Sequence, residues 1–262
     1  MDPRIQLLQS LSQRSSKICN DHFSENTKTW QKLDQSFVSE ADIKVNDYII
    51  SQISTHFPED ALLSEESPDD HKRLDCEYTW VIDPIDGTSE FIALSPEFCV
   101  MICILRNNKP FYACVSIPQE HKSYLGGPGL PLQELDLITG HQKKLNNVNA
   151  MGNRLIVSKS RATSQIFKFA EQEGLTSFRC GSAGVKACRI LQGKADYYIH
   201  INKIAEWDTA APDCLLQSLG EGLRDINGQP LLYNKEICYH SHFFYLPSKE
   251  LFKSAQKFFQ ID

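Results

Sequence analysis

Asp83 and Asp86 stand three residues apart in "WVIDPIDGTSEF" (80–91), where an apolar run stops abruptly and breaks into Gly-Thr. Pro84 lies between them and fixes one backbone angle, which limits how the two carboxylates can reorient. Gly87 and Thr88 then offer bare backbone N–H groups, a nest suited to a phosphate oxygen. Carboxylates alone repel a phosphate; with a divalent cation between them they recruit one. Mg²⁺ is a hard ion that takes oxygen ligands, commonly one or two carboxylates together with phosphate oxygens. Two such ions roughly 4 Å apart orient a water and stabilise the leaving oxygen of an in-line displacement.

Other acids occupy comparable positions. Asp42 opens an apolar-periodic segment, Glu65 and Glu66 close "ALLSEE" (61–66), and Asp208 sits in "EWDTAAPD" (206–213). Strand ends and helix starts are where a scaffold offers side chains to a cleft. Taken singly, each has a plainer reading: Asp208 is a good N-cap and Asp86-Gly87 a good turn.

The elements that must position these acids follow from periodicity. Residues 4–20 and Asp42 to Phe57 carry helical apolar faces, the second closed by Pro58. "ALLSEE" and "YTWVID" read as strands. "EFCVMICILRNNKPFYACVSIP" (97–118) reads as two strands joined at Asn107-Asn108, and "LGGPGLPL" as a Gly/Pro loop. "HKRLDCE" reads as a polar connection. Further on, "NRLIVSKS" is a strand and "RATSQIFKFAEQEG" a helix stopped by Gly174. "TSFRCGSAGVKACRILQGKADYYIH" reads strand, turn, helix, strand; "DTAAPDCLLQSLG" reads as a helix. "GLRDINGQPLLYN" reads as a hairpin through Asn227-Gly228. The first half is thus α+β with antiparallel strands and the second alternates β and α. The polar stretch 140–152 suggests a boundary between subdomains 1–145 and 146–262.

Composition bounds the function. At 262 residues the chain can bury a sizeable core. No apolar run reaches the roughly 18 residues a membrane span requires, and the amphipathic N-terminus carries no signal core, so a cytoplasmic protein is expected. Nine cysteines, scattered without a CxxC pair, argue for reduced thiols and against a zinc site. A net charge of −6 disfavours a nucleic-acid polymer as partner, while leaving room for a small phosphorylated ligand held by local cations. Monomer and homodimer are both open.

"SEES" with Glu65-Glu66, "WVIDPIDGTSEF" and "EWDTAAPD" together resemble, in order and spacing, the three signatures of the inositol monophosphatase-like, lithium-sensitive, Mg²⁺-dependent phosphatases. The resemblance covers the chain from about Trp30 to about Lys235. It implies a layered αβαβα fold of two packed subdomains and two or three Mg²⁺ ions. It also implies metal ligation by Glu65, Asp83, Asp86, Asp208 and the Ile85 carbonyl, and phosphate binding by the Gly87 and Thr88 amides. Thr88 and Asp42, with Glu65, would polarise the attacking water, and Glu66 would act through a third metal or a bound water. "DGTSEFI…SPEF", "GSAGVKACRILQGKADYYI" and "WDTAAPDCLLQSLGEGLRDINGQPLLYNK" are similar to the CysQ-type 3'(2'),5'-bisphosphate nucleotidases. By that likeness "SKSR" (Ser158 to Arg161) and Ser182 to Lys186 contact the nucleotide, with Arg161 and Lys186 on the non-reacting phosphate. Lys159 and Lys203 are weaker candidates and read as surface charges.

The sequence also departs from these relatives. Phe37 stands for Pro and Ser39 for Thr in "KLDQSFVSEAD", on the loop carrying Lys32 and Asp34. Ser89 stands for a Lys, Arg161 for His, and His200 where relatives show other residues. The implied activity is release of the 3'-phosphate from adenosine 3',5'-bisphosphate, and from 3'-phosphoadenylyl sulfate. The rivals are an inositol or sugar phosphatase and, in another class, a catalytically silent metal- or nucleotide-binding regulator. Arg161 and Lys186 discriminate among the phosphatases: both facing the cleft imply a second phosphate.

Overall fold

Asp2 caps the first helix, α1 (Pro3–His22), its carboxylate accepting from the Arg4 N–H at 2.9 Å. A short hairpin, β1 (Thr29–Gln31) and β2 (Phe37–Ser39), leads to α2 (Glu40–His56). Ser39 and Asp42 form a reciprocal capping box at the start of α2, the helix burying Val45, Ile49 and Ile53 at four-residue spacing. The computed structural model describes residues 2–33, 35–145 and 152–260. Asp34 and most of the expected boundary, residues 146–151, lie outside the described residues.

Among the described residues, α1 and α2 cover one face of a seven-stranded sheet in chain order: β3 (Ala61–Ser64), β4 (Tyr78–Asp86), β5 (Cys99–Arg106), β6 (Lys109–Ile117), β7 (Lys122–Gly127), β8 (Leu130–Asp136) and β9 (Gln142–Lys144). β3 and β4 run parallel; the other pairs are antiparallel. Alternation sorts the strands by face. Trp80, Ile82, Ile102 and Ile104 meet α1 and α2. Val81, Met101, Cys103 and Val115 face the opposite way, towards α5 (Ala183–Leu191) and α6 (Ala210–Gln217). A five-residue helix, α3 (Thr88–Ile92), follows β4 directly.

A second sheet has the order β11 (Thr176–Cys180), β10 (Arg154–Ser158), β12 (Tyr197–His200), β15 (Phe243–Tyr245), with β15 antiparallel to its neighbour. Its inner face carries Ile156, Tyr198 and Phe243 against α5 and α6. Its outer face carries Leu155, Val157, Ile199 and Phe244 against α4 (Ser164–Gln172) and α7 (Lys249–Phe259). β13 (Ile204–Ala205) and β14 (Tyr239–His240) form a separate small pair. The layers are therefore αβαβα, and the central hydrophobic cluster draws residues from both halves of the chain. All nine cysteines are free thiols, eight of them buried.

Two local expectations fail. The "LGGPGLPL" segment is the β7–β8 turn flanked by strand, with only Pro128-Gly129 looping out. Gly126 and Gly127 are strand residues at which neighbours leave no room for a side chain: a Cβ on Gly126 would lie 2.8 Å from Ser218 Oγ, and one on Gly127 2.1 Å from the Phe111 carbonyl oxygen. "GLRDINGQPLLYN" has its turn, with Gly228 at φ +80°, but forms one bridge, Arg224 to Pro230, in place of a hairpin. Pro230 has no N–H to extend a ladder.

Gly184, near the start of α5, shows how tightly the middle layers meet. A Cβ there would stand 2.5 Å from Cys99 Sγ and 2.6 Å from Met101 Sδ. Gly184→Ala is expected to destabilise the protein by about 1–3 kcal/mol through overpacking, read as a lower urea midpoint; an unchanged midpoint would mean the layers part easily.

Candidate active site

A bulge brings the first two aspartates together. Asp83 pairs with Met101 and Asp86 with Cys99, so three steps along β4 oppose two along β5. In a regular strand, residues three apart point to opposite faces; the extra residue turns both carboxylates to one side. Asp208 arrives from the start of α6, and one oxygen of each of Asp83, Asp86 and Asp208 lies within 4.8 Å of the others. Thr209, not Asp208, is the N-cap of α6, which removes the plainer reading of Asp208; its carboxylate instead accepts from the Ala205 N–H at 3.1 Å.

The three aspartates are held unequally. Asp86 Oδ2 accepts from the Ser182 hydroxyl at 2.5 Å and the Gly184 N–H at 2.8 Å. Both Asp83 oxygens are buried with no hydrogen-bond partner. Burial first, then Glu65, Asp86, Asp208 and Asp42, push the Asp83 carboxyl well above its usual range. Burial, then Asp86 and Glu65, raise Asp208 to about 7. An unpartnered buried carboxylate facing two others has the donor set a hard divalent cation requires. These residues fit such an ion.

Glu65 follows β3 and is half-buried at the edge of the trio. Burial raises its carboxyl, Lys32 opposes the rise, and Glu66 and Asp86 add to it. Lys32 Nζ reaches Glu65 at 3.1 Å and Glu66 at 2.5 Å. Burial lowers the Lys32 ammonium's pKa, but the two glutamates outweigh it and the net shift is upward. This ion pair was not legible in the sequence, which marked Lys32 only as part of a loop.

Asp42 and Thr88 form the third feature. The Thr88 hydroxyl lies 3.1 Å from Asp42 Oδ1 and 3.1 Å from the Ile85 carbonyl oxygen. Asp42 Oδ2 accepts from the Ser39 N–H at 2.8 Å and hydroxyl at 2.5 Å, so serine at 39 retains the hydroxyl contact. Burial raises Asp42 to about 6, against the lowering effect of Ser39 and Thr88. Gly87, at φ +94° with Glu97 O 3.1 Å from where a Cβ would stand, lets the chain turn from β4 into α3 beneath the aspartates.

The three aspartates, Glu65, Gly87 and Thr88 line a cleft of about 340 Å³ together with Ser158, Arg161, Ser182, Lys186, Tyr198 and His200. Lys186 is not the solvated helix residue of the plainer reading: it is 3% exposed. Its Nζ donates to the Ser182 carbonyl at 2.5 Å and the Cys180 carbonyl at 3.4 Å, leaving one of three N–H groups over. Burial lowers its pKa, against the pull of Asp86. Arg161 is exposed, and no carboxylate among the described residues stands within ion-pair distance of it. Its backbone is fixed, the N–H donating to Ser158 Oγ at 3.1 Å and the carbonyl accepting from Asn202 at 2.8 Å. Ser182 caps α5 from a left-handed φ of +54°, a conformation that costs about 1–3 kcal/mol. Ser89 is exposed, Lys159 pairs with Glu97 at 3.4 Å, and Lys203 lies 3.9 Å from the Tyr239 ring.

Three residues that the sequence left without a role belong to the same region. Tyr198 and His200 share one face of β12, a period-two pattern visible in "YYIH". Glu206, wholly buried beside Trp207-Asp208, accepts from the Asn234 N–H at 2.6 Å and the Lys235 ammonium at 2.5 Å, tying the last motif to a distant loop. No local pattern announces that pairing.

Comparison with known proteins gives the family and the fold. The model of the inositol monophosphatase family matches residues 1–257. A 3'(2'),5'-bisphosphate nucleotidase CysQ of Escherichia coli (strain K12) is 30% identical over 203 residues, 77% of this chain and 81% of that one. A 3'-phosphoadenosine 5'-phosphate phosphatase of Mycobacterium bovis is 30% identical over 200 residues, 74% and 71% of the two chains. Among solved structures, CysQ from Bacteroides thetaiotaomicron superposes with a TM-score of 0.79 at 22% identity, over 93% of this chain and 97% of that one. The IMPase of Thermotoga maritima gives 0.79 at 20% identity, over 99% of each. The chain, with its αβαβα layers and its trio of clustered aspartates, belongs to the inositol monophosphatase family of metal-dependent phosphatases.

Proposed function

We propose that this protein is a Mg²⁺-dependent phosphomonoesterase that releases the 3'-phosphate of adenosine 3',5'-bisphosphate to give AMP, and acts likewise on 3'-phosphoadenylyl sulfate. The observation that carries this reading is the presence, in one cleft, of the aspartate trio with Arg161 and Lys186, cations enough for a phosphate that does not react. Asp83, Asp86, Asp208, Glu65 and the Ile85 carbonyl would hold the ions. Mg²⁺, when bound, lowers the pKa of a water and neutralises charge on the transferring phosphoryl group. Two or three ions are proposed; a third, beside Glu66, would have to compete with the Lys32 ammonium that pairs with both glutamates.

The chain's own residues do the rest. Thr88 has one hydroxyl proton, and giving it to Asp42 leaves its lone pairs to orient the attacking water. The Gly87 and Thr88 amides hold the reacting phosphate. Ser158, Ser182, Arg161 and Lys186 place the nucleotide and its second phosphate. The reading locates the protein in the cytoplasm, in the sulfur-assimilation step that clears the bisphosphate by-product.

The test is phosphate release from adenosine 3',5'-bisphosphate, 3'-phosphoadenylyl sulfate, inositol phosphate and fructose bisphosphate, with and without Mg²⁺ and Li⁺. Preference for a singly phosphorylated polyol would sink the nucleotide reading, and no release from any of the four would favour a silent binding protein. Arg161→Ala is expected to raise KM for the bisphosphate about ten-fold, the effect of losing a charged hydrogen bond, with kcat nearly unchanged. An equal fall in kcat would place Arg161 on the reacting group.

A further inference from the structure

Phe37 lies in β2, two residues before Ser39, and strand alternation puts the two on one face. That face is turned to the site: the Ser39 hydroxyl reaches Asp42 at 2.5 Å, and Asp42 meets the Thr88 hydroxyl at 3.1 Å. β2 also packs on α3, the helix that Thr88 opens. Phe37 lines the cleft and is 45% exposed, while the cleft's other large apolar side chains, Ile85, Tyr198 and Ile204, are all buried. No ring and no cation among the described residues stacks on it. Trp30, also exposed, pairs with Val38 and so faces the other way, which separates Phe37 from the apolar surface on the back of the hairpin. A phenyl ring left in water forgoes the gain of burying it, and this one stands in a cleft whose other exposed groups are charged or polar.

We infer that Phe37 is a specificity-determining residue whose ring is the stacking platform for the purine base of the substrate. This rests on the bisphosphate reading above and adds to it a surface for the base. A phenyl ring offers no donor to a phosphate and no hydrogen bond to a polyol, but its face matches the flat π-face of a base. The position suits the leaving group: on that reading the reacting phosphate lies at the Gly87 and Thr88 amides, Phe37 stands on the strand that packs beside them, and the nucleoside is attached to that phosphate. Arg161 and Lys186 hold positive charge at other lining positions, so base and second phosphate find separate partners. Stacking reads no base edge, and the platform takes adenine and hypoxanthine alike. Proline, which Phe37 replaces relative to the sequences this chain resembles, has no such face.

The experiment measures how AMP, inosine 5'-monophosphate and ribose 5-phosphate inhibit phosphate release from adenosine 3',5'-bisphosphate, with saturating Mg²⁺, in wild type, Phe37→Ala, Phe37→Leu and Phe37→Tyr. Ribose 5-phosphate differs from AMP in carrying a hydroxyl in place of the base. In wild type both mononucleotides are expected to bind more tightly than ribose 5-phosphate. In Phe37→Ala that advantage is expected to shrink about ten-fold, with the inhibition constant of ribose 5-phosphate unchanged and KM for the bisphosphate raised by a similar factor. Phe37→Tyr keeps the advantage; Phe37→Leu, which restores bulk without a π-face, recovers only part of it. The side chain is exposed, so thermal midpoints are expected to stay within about 2 °C of wild type; should Phe37→Ala fold poorly, Phe37→Leu carries the comparison. An unchanged advantage, or all three inhibition constants rising together, overturns the inference. A wild type that prefers inositol phosphate to the bisphosphate sinks the underlying reading, and the inference with it; a wild type that prefers the bisphosphate, with a variant that keeps the base advantage, sinks the inference alone.

Discussion

Asp83→Asn is expected to abolish Mg²⁺-dependent phosphate release and, at pH 8, to leave the metal-free protein more stable than wild type. The loss of activity should exceed about 10²-fold, since losing an outer partner of a metal ligand already costs 10–100-fold. The stability gain follows from the sign of the shift. Burial and four neighbouring acids raise the folded-state pKa of Asp83 above its unfolded value near 3.8. The folded state therefore binds the proton more tightly. Stability is lost as pH rises from about 4 through the folded pKa, and the charged form is the one penalised at pH 8. Asparagine removes that charge while keeping the shape. Each kcal/mol relieved should raise the thermal midpoint by about 2–4 °C, and the difference should vanish below about pH 4. A variant that keeps its activity would remove Asp83 from the metal site; one that is less stable at pH 8 would mean its carboxylate is satisfied in the free protein.

The second large effect is the dependence of cation stabilisation on pH. Asp208 is raised to about 7 and Asp83 well above its usual range, burial being the leading cause for both. Below those values a cation must displace protons from the cluster, so its apparent affinity falls about ten-fold per pH unit for each proton released. Mg²⁺ at about 100 times its Kd stabilises a fold by ~2.7 kcal/mol. The rise in thermal midpoint on adding Mg²⁺ should then be several degrees at pH 8, smaller at pH 7 and nearly absent at pH 5, with chelator reversing it. Thermal scans across that range check this, and a rise independent of pH would mean that the ion binds elsewhere.

Much of this site is written locally. The apolar run into Asp83, the proline and the Gly-Thr pair already specify a strand, a kink and a turn, and the bulge in β4 is their spatial form. The helix bearing Asp42 follows from periodicity, and "DTAAPDCLLQSLG" announces the helix that Asp208 precedes. Less legible were features that depend on what lies opposite in space. Gly126 and Gly127 look like loop glycines, yet they sit in a strand, where Ser218 and Leu132 crowd the first and Phe111 the second. An Asn-Gly pair promised a hairpin that Pro230 cannot build. Lys186 resembles any charged helix residue, and only the packing of α5 between two sheets buries it. The contact of Lys32 with Glu65 and Glu66 spans more than thirty positions, a separation no local pattern encodes.

The Ser182 hydroxyl and Gly184 N–H that grip Asp86 belong to the same short turn that launches α5 and its Lys186. On the proposed function, substrate preference and metal retention are therefore inherited together at this turn. A library diversified at residues 182–184 to recruit new substrates would discard most of its members for a different fault, a displaced Asp86. Changes in preference are more accessible from Ser158 to Arg161 and from β12, whose side chains reach the cleft without holding an aspartate. Divergence within this scaffold has a cheap direction and a closed one, and the boundary between them is the turn from Ser182 to Gly184.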